Sequence, residues 1–218
     1  MGKIQTYTID SEESKTTLCE FGYATDKSPH NVIPHFHKHP YTPIYSLLLG
    51  PYRNRPINFC EIGVAGGYSI EMWRKYFDIR TNIVAMDYSN QLLQGVAARG
   101  YQNVFPVPLD VTSEEDMNSK FTHLNAQFDI ILDDSDHNFE SHVKIVRTLT
   151  KFLKPGGILM IEDINRSDNA EKYEAAFTSV SGEDLLAPFE SVYYIKAEHK
   201  NKFSDNYNND GILVFIKA

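Results

Sequence analysis

Residues 128–142, FDIILDDSDHNFESH, place five acids and two histidines around one short apolar run. Ile130, Ile131 and Leu132 have the character of a buried strand, and the chain leaves that strand through Asp133, Asp134, Asp136 and His137. A second apolar run, ILMIEDI, ends in the same way, in Glu162 and Asp163. Carboxylates gathered this densely repel one another and stay charged only with solvent or a cation as partner. Oxygen donors suit a hard divalent ion, Mg2+ or Mn2+. His137 adds a proton acceptor three residues after Asp134. A divalent ion lowers the pKa of a hydroxyl beside it, by about 8 units for water on zinc. An imidazole of near-neutral pKa then takes the proton. The chemistry on offer is the deprotonation of a hydroxyl. The alternative without chemistry has Asp134 capping the next helix, Glu162 and Asp163 solvated at a strand end, and His137 as a cap or surface residue. His142, one turn further on, is expected to be structural or to support the acids.

A second set of acids lies upstream. EIGVAGG, from Glu61 to Gly67, follows an apolar run, and its glycines let the backbone turn sharply from strand to helix and let a ligand approach the main chain. Gly63, Gly66 and Gly67 do not have the G-x-G-x-x-G spacing of a dinucleotide turn, so the glycines alone mean no more than a tight turn. Asp87 ends the next apolar run, 24 residues after Gly63, where a carboxylate accepts both hydroxyls of a ribose. Asp110 ends the third run, VFPVPLD, well placed to meet an adenine amino group. Acids at three consecutive strand ends line the crevice in which open α/β sheets bind their ligands.

The elements that position these residues alternate. Strands are expected at INFCEIGV, NIVAMDYS, VFPVPLD, FDIILDD and ILMIEDI, and at the end of the chain in SVYYIKAE and GILVFIKA. Helices are expected at YSIEMWRKYF, with Ile70, Trp73 and Phe77 on one side, at QLLQGVAARG, stopped by Gly100, at HVKIVRTLTKFLKPGG, stopped by Pro-Gly-Gly, and at EKYEAAFTSV. Alternation implies a mostly parallel sheet covered on both faces. The last two strands are joined by a polar loop without a helix, so they must be antiparallel. The expected fold is an α/β three-layer sandwich, its seven-stranded sheet reversed in the last strand. It occupies residues 57–218. Residues 1–56 form an N-terminal accessory region, partly helical and broken by Pro29, Pro34, Pro40 and Pro43. In this sheet the strands carrying Asp134 and Glu162 are neighbours, about 5 Å apart. Adjacent residues of a flat strand face opposite ways, so Glu162 and Asp163 reach one ion only if the strand bends or ends there.

FCEIGVAGG, VAMDYS, PLDVTS and PGGILMIED, in this order, resemble the class I S-adenosylmethionine-dependent methyltransferases, whose fold is Rossmann-like. The resemblance runs from about Ile57 to Ala218. It implies that Glu61, Gly63 and Ser69 lie near the methionine half of S-adenosylmethionine, Asp87 on the ribose, Asp110 with Val111 near the adenine, and Asp133 on the cofactor side. ILDDSDHNFESHV followed by MIEDI is more specific and is similar to the metal-dependent sugar O-methyltransferases, including those acting on macrolide deoxysugars. That similarity implies that Asp134, Glu162 and Asp163 are metal ligands and His137 the base. The family reads Asp-Asp-x-Ser-His; Asp136 stands here in place of the serine, a charge that would raise the histidine pKa if the two are close. The N-terminal ATDKSPHNVIPHFHKHPYTPIYSLLLGPYRNRP resembles the same group at Thr25, Asp26, Lys27, His39, Tyr41 and Tyr45, residues expected to form a lid. The alternating His35, His37 and His39 lack the cysteine or acid that would complete a transition-metal site.

The bulk numbers narrow the partners. A chain of 218 residues supports one substantial core, and a net charge of −8 argues against a nucleic-acid surface. No run is long enough to span a membrane and no leader is recognisable. Cys19 and Cys60 are expected to be thiols in a reducing compartment, the cytoplasm. The expected activity is methyl transfer to a hydroxyl of a small-molecule or glycan acceptor, first a deoxyhexose such as rhamnose, with a catechol-like phenol as the nearest rival. A nicotinamide oxidoreductase and a non-catalytic cofactor-binding module are the readings from other classes; the glycine spacing and Glu61 oppose the first, the acids and His137 the second. The sequence sets no oligomeric state.

Overall fold

The computed structural model describes residues 3–33, 38–179, 182–198 and 208–218. The strands are β1 (Ile4–Asp10), β2 (Asn58–Ile62), β3 (Asn82–Asp87), β4 (Val104–Pro108), β5 (Phe128–Asp133), β6 (Leu153–Ile164), β7 (Phe189–Glu198) and β8 (Gly211–Lys217). The helices are α1 (Thr17–Phe21), α2 (Tyr41–Leu49), α3 (Tyr68–Tyr76), α4 (Asn90–Ala98), α5 (Glu114–Leu124), α6 (Phe139–Leu149) and α7 (Ala170–Ser179). Among the described residues one sheet of eight strands runs β1-β7-β8-β6-β5-β2-β3-β4. Only β8 is reversed: it is antiparallel to β6 and β7, and every other pairing is parallel.

The central strands are apolar on both sides because both faces are covered. Successive residues alternate between two cores. Cys60, Ile62, Ile131 and Leu159 point to the face packed by Phe121 of α5, Ile145 of α6 and Phe177 of α7. Phe59, Ile130, Leu132 and Met160 point to the face packed by Leu18 of α1, Ile44 of α2, Trp73 of α3 and Leu93 of α4. Trp73 is fully buried among Phe59, Tyr45 and Phe77, and its truncation to alanine would cost about 3–5 kcal/mol.

Three expectations are corrected. The sheet has eight strands, not seven, because β1 joins the edge beside β7; of its seven residues only Ile4 is buried, so no apolar alternation marked it. Helix α5 was not expected. It is held by the Ser113 side chain, which accepts from the Asp116 N–H, and by three acids in its first turn, but buries only Met117 and Phe121. Pro155-Gly156-Gly157 does not end α6, which stops at Leu149 and passes through one 3-10 turn, Thr150–Phe152; the three residues lie within β6, where its pairing with β5 shifts register. The loop expected between the last two strands falls largely at 199–207, and His35 and His37 at 34–37, outside the described residues. No helix among the described residues is long and apolar enough to cross a membrane.

Register places the site. Met86, Ile62, Asp133 and Ile161 form one row across β3, β2, β5 and β6. One residue further along each strand come Asp87, Gly63, Asp134 and Glu162. All of them leave the carboxyl edge of the sheet together.

Candidate active site

The glycine turn is built around two close approaches. Gly63 has φ +83°, and a Cβ there would stand 1.8 Å from the carbonyl oxygen of Asp134. Only glycine lets the Asp134 loop cross the turn at that distance. Asp87 fixes the same turn from the other side: its Oδ2 accepts from the N–H groups of Val64 (3.1 Å) and Ala65 (3.2 Å), and its Oδ1 from that of Ser89 (2.9 Å). Beyond the turn opens a cavity of about 650 Å3, lined among others by Gly63, Asp87, Tyr88, Asp110, Val111 and Asp134. That volume lies within the range of about 300–1,000 Å3 typical of small-molecule sites. Two carboxylates, Asp87 and Asp110, at consecutive strand ends beside this cavity fit a nucleoside.

Glu61, Ser69 and Asp133 lie off the cavity lining. Glu61 is buried and accepts from the Ser69 hydroxyl at 2.8 Å and the Trp73 indole N–H at 3.1 Å. Burial pushes its carboxyl up to about 7 against the pull of Lys27. Asp133 accepts from the Ser135 hydroxyl at 2.6 Å, and burial lifts it to about 7 as well.

The acid cluster adjoins the cavity through Asp134, which belongs to both. The strand does bend where Glu162 and Asp163 require it. β6 carries three steps, Ile161 to Ile164, against two on β8, and Asp163 adopts φ +58°. His137 is also left-handed, at φ +54°, which folds its ring back between two carboxylates. Its Nε2 lies 3.4 Å from Asp134 Oδ1 and its Nδ1 3.4 Å from Asp163 Oδ2. Burial lowers the imidazole pKa, but the hydrogen bond to Asp134 and the charges of Asp163, Asp134 and Asp133 outweigh it and raise the group to about 9. Asp136 is not among the largest sources of that shift. Its carboxylate accepts from the N–H of Asn138 (3.1 Å) and the hydroxyl of Ser141 (2.6 Å).

The N-terminal segment reaches the cluster through Lys27, Tyr41 and Tyr45. Lys27 is 2% exposed and donates to Asp134 Oδ2 and Glu162 Oε1, with Glu61 at 3.8 Å. Burial opposes its charge, and Asp134, Glu162 and Glu61 override that and raise its pKa. The Tyr45 hydroxyl donates to Glu162 Oε2. The Tyr41 hydroxyl lies 2.8 Å from Asp163 Oδ1, and His39, stacked on Tyr41, stands between Asp163 and Asp210. Tyr41 and Tyr45 are fully buried in the core that holds Trp73 and Phe59. His142 is structural: it is buried and paired with the Tyr173 hydroxyl at 2.7 Å.

The expected metal set is brought together in part. Asp134, His137 and Asp163 each offer a donor atom within 4.8 Å of the others. Glu162 stands beside that group, one of its oxygens accepting from Lys27 and the other from Tyr45. Carboxylates and an imidazole are donors that suit a divalent ion. The residues therefore fit a Mg2+ or Mn2+ ion.

Comparison with known proteins agrees with this geometry. Residues 60–164 match the family model of a methyltransferase domain. The chain is similar to the 8-demethyl-8-alpha-L-rhamnosyl tetracenomycin-C 2'-O-methyltransferase of Streptomyces olivaceus, 28% identical over 165 residues that cover 72% of this chain and 40% of that protein. It is also similar to the mycinamicin VI 2''-O-methyltransferase of Micromonospora griseorubida, 28% identical over 138 residues, 58% of this chain and 32% of the relative. The chain thus spans less than half the length of these relatives. Among solved structures, MycE methyltransferase from the mycinamycin biosynthetic pathway, in complex with Mg, SAH and mycinamycin VI, superposes with a TM-score of 0.67 at 20% identity, covering 94% of this chain and 55% of MycE; at that identity the likeness is one of fold. Taken with the sheet order and the cavity at its carboxyl edge, the match assigns the stretch from Cys60 to Ile164 to the class I S-adenosylmethionine-dependent methyltransferases.

Proposed function

We propose that the protein is a divalent-metal-dependent O-methyltransferase that moves the methyl group of S-adenosylmethionine to a hydroxyl of a sugar, a deoxyhexose such as rhamnose, in a glycan or glycoconjugate. The observation that carries this reading is the double role of Asp134. It lines the cofactor cavity and contributes to the group of Asp134, His137 and Asp163. Methyl donor and acceptor would therefore meet across one side chain, as an in-line displacement demands.

When bound, S-adenosylmethionine supplies an electrophilic methyl group and Mg2+ or Mn2+ lowers the pKa of an acceptor hydroxyl. The protein does the rest. Gly63, Asp87, Asp110 and Val111 hold the cofactor in the cavity, with Glu61, Ser69 and Asp133 bracing the turn and the strand end behind it. Asp134 and Asp163 hold the ion. His137, 35% exposed and anchored between those carboxylates, would take the acceptor proton. General-base help of this kind contributes about 10^2- to 10^4-fold. Two buried, unpaired cysteines support a cytoplasmic setting.

A catechol-like acceptor offers the same pair of neighbouring oxygens and is the second reading. A methyl-transfer screen with labelled S-adenosylmethionine over rhamnosides, other deoxyhexosides and catechols separates them. Labelled glycosides with unlabelled catechols support the sugar reading; labelling of catechols alone would replace it.

A further inference from the structure

The turn beside the cavity carries a left-handed residue that is not glycine. Ala65 has φ +38°, a conformation unfavourable for any residue with a Cβ, and it lines the cavity. Such a residue persists only where its surroundings hold it. Here β3 and α4 hold it from two sides. Asp87, at the end of β3, takes the N–H groups of Val64 and Ala65. Arg99, the residue that caps the end of α4, takes the carbonyls that follow Ala65. Its Nη2 donates to the Gly66 oxygen at 2.6 Å and its Nη1 to the Gly67 oxygen at 3.1 Å. One planar guanidinium thus bridges two consecutive peptide groups, a geometry that an ammonium does not match. The fork is itself fixed: Glu71 Oε2 stands 3.5 Å from Nη1, and the Tyr68 ring centroid lies 5.0 Å from the guanidinium carbon. Arg99 lies off the cavity lining, so whatever it does for a ligand it does through the turn.

We propose that Arg99 is a positioning residue for the cofactor: it keeps Ala65 left-handed, so that the turn is formed before the nucleoside arrives. The proposal rests on the reading of the cavity as an S-adenosylmethionine site given above. Without the fork, Ala65 is free to relax toward negative φ. That rotation breaks the fit between the turn and Asp87, and the wall formed by Gly63 and Ala65 moves with it. The nucleoside would then have to restore the turn as it binds, and the free energy of doing so is lost from its affinity.

The test is calorimetry of the purified protein with S-adenosylhomocysteine, with no acceptor or turnover involved. Arg99→Met keeps an unbranched apolar stem and removes the fork, so affinity should fall by more than about fivefold, the population penalty of one left-handed residue. Ala65→Gly removes that penalty. In the Arg99→Met background it should therefore raise affinity by about threefold or more, a gain that the wild-type background should not show, because there the turn is already held. A general loss of stability has no reason to be repaired by this one glycine. A smaller fall in a folded Arg99→Met protein, judged by its circular dichroism, overturns the proposal. So does a fall that Ala65→Gly does not recover, or a gain of equal size in the wild type. If Arg99→Met does not fold, Arg99→Lys decides. It keeps the charge but not the fork, and should lose about threefold and regain it with Ala65→Gly; affinity equal to that of the wild type, or a loss without recovery, overturns the proposal. A wild-type protein that binds no S-adenosylhomocysteine removes the cofactor reading beneath it, a result distinct from all of these.

Discussion

Gly63→Ala tests whether the cofactor turn and the acid loop are one unit. The added Cβ would lie 1.8 Å from the carbonyl oxygen and 2.5 Å from the carbonyl carbon of Asp134, both backbone atoms that no rotamer change can move. The backbone at φ +83° adds about 1–2 kcal/mol for any residue with a side chain. Relief of the overlap by shifting the Asp134 loop adds about 1–3 kcal/mol, the usual cost of overpacking. The sum is about 2–5 kcal/mol. At about 2–4 °C per kcal/mol for a domain of this size, the melting temperature should fall by about 4–20 °C. Gly67→Ala is the control. Its φ is +74°, but its Cβ would meet the Val96 side chain at 2.9 Å, which can turn aside, so about 1–2 kcal/mol is expected. Thermal unfolding by circular dichroism gives the stability term, and calorimetry with S-adenosylhomocysteine gives the binding term. Gly63→Ala should lose both, because the turn and Asp134 are displaced together. A Gly63→Ala protein that melts within about 2 °C of the wild type and binds the nucleoside equally well would refute the claim that the crossing requires glycine.

Asp87→Ala removes the acceptor of three backbone N–H groups as well as the proposed ribose partner, so S-adenosylhomocysteine affinity should fall by more than about tenfold; equal affinity by calorimetry would place the ribose elsewhere. His137→Ala should keep S-adenosylhomocysteine and Mn2+ while kcat drops by about 10^2- to 10^4-fold, and loss of either ligand would make the ring a structural element instead of a base. His142 gives a pH signature. Burial holds its folded pKa down at about 4 against 6.5, so the unfolded chain takes up the proton first and stability declines as pH falls from about 6.5 to about 4. The whole window is worth about 3 kcal/mol. Urea titrations at both ends should show that loss in the wild type and a smaller one in His142→Phe, and parallel pH dependences would show that His142 titrates normally.

Much of the site was legible because parallel central strands advertise themselves. Ile130 to Leu132 and Ile158 to Ile161 are buried on both faces, so the first charged residues after them mark the carboxyl edge, and the register puts Asp87, Asp134 and Glu162 on one row. Contacts made across long stretches of chain were not legible. Lys27 lies 107 residues from Asp134 and 135 from Glu162, and nothing in a proline-broken polar segment shows that its ammonium will be buried there. Gly63 was read as making room for a ligand, whereas the atom nearest its missing Cβ is the Asp134 oxygen. The bend that separates Glu162 from Asp163 depends on the pairing of β6 with β8 and on a left-handed Asp163, and no local residue signals it. Strand β1 and helix α5 escaped for a simpler reason: each shows solvent nearly all its side chains, leaving one buried residue in the first and two in the second.

The central claim, methyl transfer to a hydroxyl with a divalent ion at Asp134 and Asp163, is tested most directly by metal removal during turnover. Protein stripped with EDTA and supplied with methyl-labelled S-adenosylmethionine and a rhamnoside should leave the acceptor unlabelled, and added Mg2+ or Mn2+ should restore labelling in the wild type but not in Asp134→Ala. Full labelling in excess EDTA, with Asp134→Ala as active as the wild type, would contradict the account and leave the carboxylates as a strand end held by Lys27 and His137.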